Sequence, residues 1–262
     1  MTTPTAAPVT LSPALKPAIT IDHVSKTYGD GRSAVPALDD VSLEVAEGEF
    51  LCLLGASGCG KSTLLNLIAG VYHIDHGAID TQGRKVGFMF QEDALYPWLT
   101  VNGNIDLALR LGDVPRTARP GRVAQLLAMV HLHGFGDSRP HELSGGMRQR
   151  AALARTLAQE ADILLMDEPF GALDAMTRDV LHDELERIWR ATGVTIVFVT
   201  HNVHEAVRLG DRVILLSSRP GRVVADIPVT VERPRRIDDA AVAQQAHEIT
   251  ERLRQEVRRH GR

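Results

Sequence analysis

One segment constrains this chain more than any other: an apolar run followed at once by a glycine-rich loop. Residues 50–54 (Phe-Leu-Cys-Leu-Leu) are apolar throughout, as expected of a strand buried on both faces. Residues 55–63 read Gly-Ala-Ser-Gly-Cys-Gly-Lys-Ser-Thr and fit the pattern G-x-x-x-x-G-K-[ST]. A helix is predicted from Lys61 to Ala69, with Gly70 as its C-terminal stop. A buried strand, a glycine turn and a helix start in this order predict a binding site for phosphate groups.

The residue types in this loop define its chemistry. Glycines let backbone amides turn toward phosphate oxygens, and the helix start adds a favourable dipole. Lys61 is expected to reach the β- and γ-phosphates of a nucleotide, and Ser62 to ligate Mg²⁺ through its hydroxyl. Cys59 occupies a variable position of the pattern, and we interpret it as a small filler, not a redox residue. The predicted nucleotide-binding residues of the loop are Gly55, Ala56, Ser57, Gly58, Cys59, Gly60, Lys61, Ser62 and Thr63.

A second nucleotide signal lies at residues 163–168, Ile-Leu-Leu-Met-Asp-Glu. An apolar strand that ends in two carboxylates delivers negative charge to the carboxyl edge of a sheet, where ligands bind in α/β folds. Asp167 is expected to hold a metal ion, directly or through water. Glu168 is expected to orient the attacking water as a general base. Alone, the pair could be a solvated strand end, but beside a phosphate-binding loop the nucleotide role is favoured.

The rest of the chain alternates between strand-like and helical patterns. Residues 19–24 alternate as an exposed-edge strand would, and residues 41–45 repeat the pattern. Further strands are predicted at 85–90, 194–200 and 212–216, and the stretch from about 92 to 160 is helical in character. Strands that alternate with helices predict an α/β fold with a parallel sheet covered on both sides. The helical stretch is then an insertion into that α/β core.

Composition excludes several classes of protein. There are 29 Lys and Arg against 33 Asp and Glu, which gives a formal net charge of −4. Because basic residues are not in excess, the charge does not indicate nucleic acid as a partner. Two cysteines without metal-type spacing argue against a disulfide scaffold and fit a reducing compartment. No stretch offers the roughly 20 apolar residues of a membrane-spanning helix. Residues 1–18 contain four prolines, which predicts a disordered tail rather than a signal peptide.

Residues 143–150 read Leu-Ser-Gly-Gly-Met-Arg-Gln-Arg and predict a second anion-binding helix start. A serine can cap the helix there, and two glycines permit close approach of a phosphate. With these residues the sequence resembles the ATP-binding subunits of ABC transporters, whose signature motif is L-S-G-G-x-x-x-R. The resemblance covers about residues 19–225. The signature residues it identifies are Leu143, Ser144, Gly145, Gly146, Met147, Arg148 and Gln149.

The resemblance implies a fold and further site residues. The fold is α/β, a P-loop NTPase (RecA-like) core with an inserted α-helical subdomain and a small N-terminal antiparallel β part. Tyr28 matches the aromatic residue on which adenine stacks, and Gln91 matches the glutamine that contacts Mg²⁺ and the attacking water. Asp174 lies in the loop that crosses to a partner subunit, and His201 matches the histidine at the γ-phosphate. Each of the four alone also fits an ordinary surface, loop, cap or strand-end role.

The implied activity is ATP hydrolysis with Mg²⁺. Glu168, His201 and Gln91 are the implied catalytic residues, and Ser62, Gln91 and Asp167 are the implied metal ligands. The chain would stack head to tail with a second copy of itself or with a paired ATPase subunit. Residues 144–146 of one subunit would then close over ATP held by the other. In domain terms, a tail (1–18) precedes an ATP-binding domain (19–230, with the insertion at about 92–160) and a C-terminal helical extension (231–262).

Several segments resemble one importer branch of the family. They are the Pro-Trp pair at 97–98, the signature ending at 147–150, and residues 170–174 and 218–222. That branch imports nitrate, taurine and aliphatic sulfonates, and the alternative within the importers is a transporter of another small solute. The implied setting is peripheral, at the cytoplasmic face of the cell membrane, against permease subunits contacted near Tyr96 and Trp98, with a solute-binding protein reached indirectly. The apolar residues at 95, 96, 98 and 99 could instead belong to the core, and this alternative stays open.

Two other functions compete with that of an importer ATPase. An ABC-type ATPase that moves no solute usually has a coiled-coil insertion, a second nucleotide domain or a basic surface, and none is evident in this sequence. A subunit without hydrolysis is disfavoured because Glu168 and His201 are present.

Asn202 departs from the family pattern, where an aspartate is frequent. At the C-terminus, a helical stripe is predicted to pack on its own domain or a neighbouring subunit rather than on a membrane surface. Its members are Val242, Ala246, Ile249, Leu253 and Val257.

Overall fold

The structure, a computed structural model, describes residues 16–171 and 173–260. Residues 1–15 of the predicted tail, residue 172 of the predicted partner loop and the side chain of Val257 lie outside the described part. Strand β1 (Pro17–Tyr28) begins inside the range that we expected to be a disordered tail. Ala18 and Ile19 are fully buried, so residues 17 and 18 belong to the folded domain.

The central element is a six-stranded sheet that carries the phosphate-binding loop. Its strands are β3 (Phe50–Leu54), β5 (Val86–Met89), β6 (Ile163–Asp167), β7 (Thr195–Val199), β8 (Arg212–Leu216) and β9 (Val223–Pro228). Their order is β5-β6-β7-β3-β8-β9. The first five run parallel and β9 pairs antiparallel with β8, a departure from the all-parallel expectation. Strand β9 is half-exposed and forms a hairpin at the sheet edge, so it lacks the continuous apolar run of a central strand.

The pairing register of β3, β6 and β7 places the ends of these three strands side by side. Leu53 of β3 and Asp167 of β6 both pair with Val199 of β7. Alternate residues of these strands enter two separate apolar clusters, one on each face, so the prediction of a sheet covered on both sides is confirmed. Residues that directly follow β3, β6 and β7 therefore meet at one edge of the sheet.

A smaller antiparallel sheet covers one of those clusters. It has the order β2-β1-β4, with β2 at Val35–Ala46 and β4 at His76–Asp80. The expectation of an exposed edge for residues 19–24 is wrong, because β1 is the middle strand. Alternation of apolar and polar residues indicates that one face of a strand is buried, but it does not indicate the strand's place in the sheet. Strand β4 has no buried residue, so no hydrophobic pattern marked it.

Seven α-helices accompany the two sheets in the described part of the chain. They are α1 (Lys61–Ile68), α2 (Val101–Leu111), α3 (Arg119–Met129), α4 (Gly145–Leu157), α5 (Ala175–Thr192), α6 (Val203–Leu209) and α7 (Ala240–His260). Helices α2 to α4 form the insertion between β5 and β6. Helix α7 packs on α6 and buries Val242, Ala246 and Ile249 in the core of its own domain. Among the described helices, we find none with the length and apolarity of a membrane span.

Candidate nucleotide-binding site

The phosphate-binding loop joins β3 to α1 and is folded round a lysine. The Nζ atom of Lys61 donates hydrogen bonds to the carbonyl oxygens of Gly55 (2.9 Å) and Ala56 (3.1 Å), which keeps the ammonium inside the loop. Gly60 has φ = +102°, and a Cβ there would collide with the side chain of Leu38. Only glycine fits this turn, and the turn directs α1 with its free N-terminal amides toward the cavity.

Cys59 is a packing residue of the loop. Its side chain is buried in the apolar cluster beneath the small sheet. Burial raises the pKa of the Cys59 thiol, so the neutral form is favoured. The thiol also occupies the space that a Cβ on Gly55 would need. The interpretation of Cys59 as a small filler agrees with this geometry.

Two carboxylates stand at the end of β6. The Ser62 side chain lies next to the Asp167 carboxylate. Burial raises the pKa of Asp167, the neighbouring Ser62 hydroxyl acts to lower it, and the nearby charge of Glu168 raises it further. A half-buried carboxylate beside a hydroxyl oxygen is a donor set that suits Mg²⁺. The residues therefore fit a magnesium ion at this edge of the sheet.

Glu168 is held in an uncommon conformation. Its φ is +43°, a left-handed value that non-glycine residues rarely adopt and that clusters at functional sites. Its backbone N–H donates to the carbonyl oxygen of Val199 (3.0 Å), which fixes the turn against β7. Its Oε2 atom lies 3.0 Å from Nδ1 of His201, the second residue after β7. The aligned strand ends thus bring the predicted base and the predicted histidine into direct contact.

A cavity of about 500 Å³ lies beside the phosphate-binding loop and Glu168. Its lining includes Tyr28, residues of the phosphate-binding loop, Gln91 and Glu168. The Tyr28 ring meets the ring of Tyr72 edge-on at 5.9 Å, and its hydroxyl lies 3.5 Å from Oγ1 of Thr63. Residues from the small sheet, the loop and the strand ends that sequence reasoning singled out separately are therefore neighbours in space.

Gln91 connects the cavity to the helical insertion. Its carbonyl oxygen accepts a hydrogen bond from Nε2 of Gln149, a buried residue of α4 (3.3 Å). Two residues further on, the Asp93 carboxylate accepts a hydrogen bond from Nε of Arg148 (2.9 Å). Two of the predicted signature residues thus tie α4 to the segment that carries Gln91. The segment that carries Gln91 therefore contacts both α4 and the cavity.

The apolar segment after Gln91 divides between core and surface. Leu95 is buried, whereas Tyr96 is 39% and Trp98 68% exposed, with ring centroids 5.4 Å apart. The buried amide of Asn104 accepts from the Tyr96 N–H (2.8 Å) and holds this turn on α2. The core alternative therefore explains Leu95, and Leu99 is partly buried, but the core does not explain Tyr96 or Trp98.

The signature residues begin α4 on a different part of the surface. Oγ of Ser144 accepts a hydrogen bond from the Met147 N–H (3.3 Å) and caps the helix. Within the described chain, no signature residue lines the cavity of the phosphate-binding loop. Asp174 caps α5 in the same way, and the backbone N–H of Thr177 lowers the pKa of its carboxylate. The structure therefore does not bring the two predicted anion-binding helix starts together in one chain.

Sequence reasoning missed a buried network behind His201. Nε2 of His182, a fully buried residue of α5, lies 2.5 Å from Oε1 of Glu205 in α6. The other carboxylate oxygen of Glu205 accepts from Thr200, whose Oγ1 in turn accepts from the Asn202 N–H (3.0 Å). Burial acts to raise the pKa of Glu205, but its hydrogen bonds and the His182 charge hold it below the ordinary value. A lone histidine inside a helix gave no signal of this network.

Glu205→Ala is expected to lower the free energy of unfolding by about 2–3 kcal/mol, because it leaves His182 and Thr200 buried without their acceptor. Thermal and urea unfolding measure the loss. Glu248→Ala, an exposed position of α7, is the control and should stay within about 0.5 kcal/mol of the unmodified chain. Equal stability of the two variants would show that the network contributes nothing.

An arginine that was not predicted as a site residue also borders the cavity. Arg219, in the turn between β8 and β9, lines the cavity and donates from Nε to the Gly58 carbonyl oxygen (3.1 Å). The sequence segment 218–222 pointed only to a family branch. The signal that could have found Arg219 is its position three residues after β8, the strand that pairs with β3 through Leu54 and Leu215.

Comparisons with known proteins identify a family and several relatives. The sequence model of the family described as ABC transporter matches residues 38–171. The taurine import ATP-binding protein TauB of Rhizobium johnstonii is 45% identical over 248 residues, 91% of this chain and 94% of that protein. The aliphatic sulfonates import ATP-binding protein SsuB of Bacillus subtilis is 44% identical over 225 residues, 83% and 87% of the two chains.

Solved structures extend the comparison to the fold. A dimeric ATP-binding cassette in a post-hydrolysis state, bound to ADP and phosphate, superimposes with a TM-score of 0.72. It is 33% identical and covers 82% of this chain and 100% of its own. The expected α/β fold, with a helical insertion and a small antiparallel sheet, is confirmed.

Proposed function

This chain belongs to the ABC transporter family of ATP-binding proteins, and from that membership we propose that it powers a membrane importer by hydrolysing ATP. The proposed cargo is nitrate, taurine or an aliphatic sulfonate; relatives named for taurine and aliphatic sulfonate import support the last two. The observation that carries the proposal is the shared cavity of the phosphate-binding loop, Gln91 and Glu168, with His201 bonded to Glu168.

In this proposal the chain binds ATP along the cavity. Adenine stacks on Tyr28, which is 37% exposed beside Thr63. The loop amides and Lys61 hold the phosphates, with the lysine leaving its carbonyl partners for the β- and γ-phosphate oxygens. Ser62, Asp167 and Gln91 would hold Mg²⁺. When bound, that ion neutralises charge on the β- and γ-phosphates.

The proposed chemical step uses the contact between Glu168 and His201. Glu168 accepts a proton from water as the water oxygen attacks the γ-phosphorus, and the bond from that phosphorus to the bridging oxygen of ADP breaks. Nδ1 of His201 keeps Glu168 in place, which leaves Nε2 free for the γ-phosphate. The turn that carries His201 is stiffened by Asn202, whose side chain accepts from the backbone of His204 and Glu205.

The proposed active site needs two subunits. The capped start of α4 at Ser144 exposes helix amides of the kind that bind anions, yet it lies outside the chain's own cavity. A second copy arranged head to tail would bring its Ser144, Gly145 and Gly146 over the ATP. Asp174 would approach the partner in the same arrangement. The dimeric cassette of similar fold supports the pairing of two subunits.

The proposed permease contact is an apolar groove of about 410 Å³ on the helical insertion. Phe90, Tyr96 and Leu111 line it and are all exposed, and Trp98 stands beside Tyr96. Exposed aromatic residues clustered beside a groove are typical of an interaction surface. Gln91 lies in the chain between Phe90 and Tyr96 of the groove, so a permease segment pressed into the groove would act on the cavity. This contact would hold the chain, as a peripheral subunit, at the cytoplasmic face of the membrane.

Trp98→Ser is expected to lower the affinity for the permease by about tenfold or more and to reduce uptake accordingly, because an exposed aromatic anchor is lost. ATP binding by the isolated chain should not change. Co-purification and uptake assays measure the effect. Phe135→Ser removes another exposed aromatic ring, which does not line the groove, and is the control. If Trp98→Ser folds normally and supports full uptake, the groove is not the contact.

Gene deletion tests the whole proposal. Uptake of labelled taurine, an aliphatic sulfonate and nitrate is measured in the host without the gene. One of the three should be lost, then restored by the unmodified chain and not by Glu168→Gln. Unchanged uptake of all three would refute the proposed cargo class, and restoration by Glu168→Gln would refute hydrolysis as the driving step.

A further inference from the structure

The turn of residues 217–222 between β8 and β9 is built against the phosphate-binding loop. The Gly221 N–H donates to the Ala37 carbonyl oxygen (2.9 Å), and its own carbonyl accepts from the Asp39 N–H (3.0 Å). A Cβ on Gly221 would overlap the backbone oxygen of Cys59, so the two loops are in close contact. The turn is therefore fixed between β2 and the phosphate-binding loop rather than free in solvent.

Within this turn, two arginines have different surroundings. The Arg222 guanidinium forms an ion pair with the Asp39 carboxylate. Arg219 donates only its Nε hydrogen, to the Gly58 carbonyl oxygen, and no carboxylate of the described chain pairs with it. The side chain is exposed and lines the cavity. Its two terminal nitrogens therefore stand at the mouth of the cavity with donors to spare.

The charges that line the cavity identify what those donors fit. Its lining residues carry two side-chain cations, Lys61 and Arg219, and one carboxylate, Glu168. Lys61 lies deep in the loop, bonded to carbonyl oxygens. A guanidinium offers paired N–H donors that match two oxygens of a phosphate, and it stays charged at every physiological pH.

We propose that Arg219 is a nucleotide-binding residue whose guanidinium contacts the phosphate chain of ATP and ADP from the outer side of the phosphate-binding loop. The proposal rests on the proposed function, because it takes the cavity to be the ATP site. It gives the 217–222 turn a role in binding, because the turn between β8 and β9 would bring a second cation, besides Lys61, to the phosphates.

The test compares variants that separate charge from hydrogen bonding. Arg219→Gln keeps an N–H that can reach the Gly58 carbonyl and loses the charge, whereas Arg219→Lys keeps the charge. Binding of ATP and ADP to the isolated full chain is measured by calorimetry at several salt concentrations. We expect Arg219→Gln to weaken both nucleotides by about tenfold with a shallower salt dependence, and Arg219→Lys to lose about threefold or less. Arg222→Gln, in the same turn, is the matched control and should bind as the unmodified chain does.

The alternatives have distinct results. If Arg219→Gln binds ATP as tightly as the unmodified chain but forms fewer ATP-dependent dimers, the arginine contacts a second copy and the proposal is wrong. If both substitutions lower the melting temperature and weaken binding alike, Arg219 only braces the loop and the proposal is again wrong. If the unmodified chain binds no ATP, the proposed function itself fails. If the unmodified chain and Arg219→Gln bind ATP equally tightly, only the proposal for Arg219 fails.

Discussion

Glu168→Gln is expected to lower the turnover of ATP hydrolysis by at least about 100-fold and to leave ATP affinity within about threefold of the unmodified chain. Glutamine keeps the size and one hydrogen-bonding oxygen of glutamate but cannot accept the water proton. His201 retains a partner, so the local geometry should persist. The measurement is steady-state phosphate release together with equilibrium ATP binding.

The control for this prediction is Glu232→Gln, a substitution at an exposed residue outside the cavity. It removes one negative charge from the same chain and should leave turnover unchanged. Near-normal hydrolysis by Glu168→Gln would mean that another group accepts the proton. The contact between Glu168 and His201 would then be structural only.

The second large effect concerns the start of α4. In the Glu168→Gln background, ATP that is bound and not hydrolysed should hold two subunits together. Adding Gly145→Asp should abolish that dimer, because a carboxylate at this helix start repels the γ-phosphate of the partner's ATP. ATP binding to the monomer should survive. Sizing with ATP and Mg²⁺ measures the dimer.

The choice of Gly145 comes from the structure. A Cβ on Gly146 would overlap the methyl group of Thr177 in α5, so a substitution there disturbs the chain's own packing. A Cβ on Gly145 has ordinary contact distances, the nearest described atom being 3.9 Å away on Arg148. Gly121→Asp, at an open helical glycine of α3, is the matched control and should dimerise normally. A full yield of dimer with Gly145→Asp would exclude a shared site.

Sequence reasoning was strongest where local chemistry allows one solution. The turn at Gly60 admits no side chain, and the capped helix start at Ser144 needs only adjacent residues to form. The apolar strands before Gly55 and Asp167 were predicted because burial on both faces leaves no polar position. Their shared edge then followed from parallel pairing alone. The neighbourhood of the phosphate-binding loop and Glu168 is thus a consequence of pattern and topology.

The remaining features depend on contacts between segments far apart in the chain. Leu95 and Tyr96 are adjacent and both apolar in character, and only the packing of α2 decides that one is buried and the other exposed. The pair of His182 and Glu205 joins two helices, and Arg219 reaches Gly58 across 161 residues. No local period or motif encodes such pairings.

The central claim is that one ATP site is made by two copies of this chain, and mixing two inactive variants tests it most directly. Lys61→Ala removes the phosphate cation, Gly145→Asp blocks the signature helix, and each alone should hydrolyse almost no ATP. A mixed dimer contains one intact site, formed by the loop of the Gly145→Asp copy and the signature helix of the Lys61→Ala copy. The account predicts that an equal mixture recovers up to about a quarter of the normal phosphate-release rate. A mixture no faster than the sum of the separate variants would contradict a site shared between subunits.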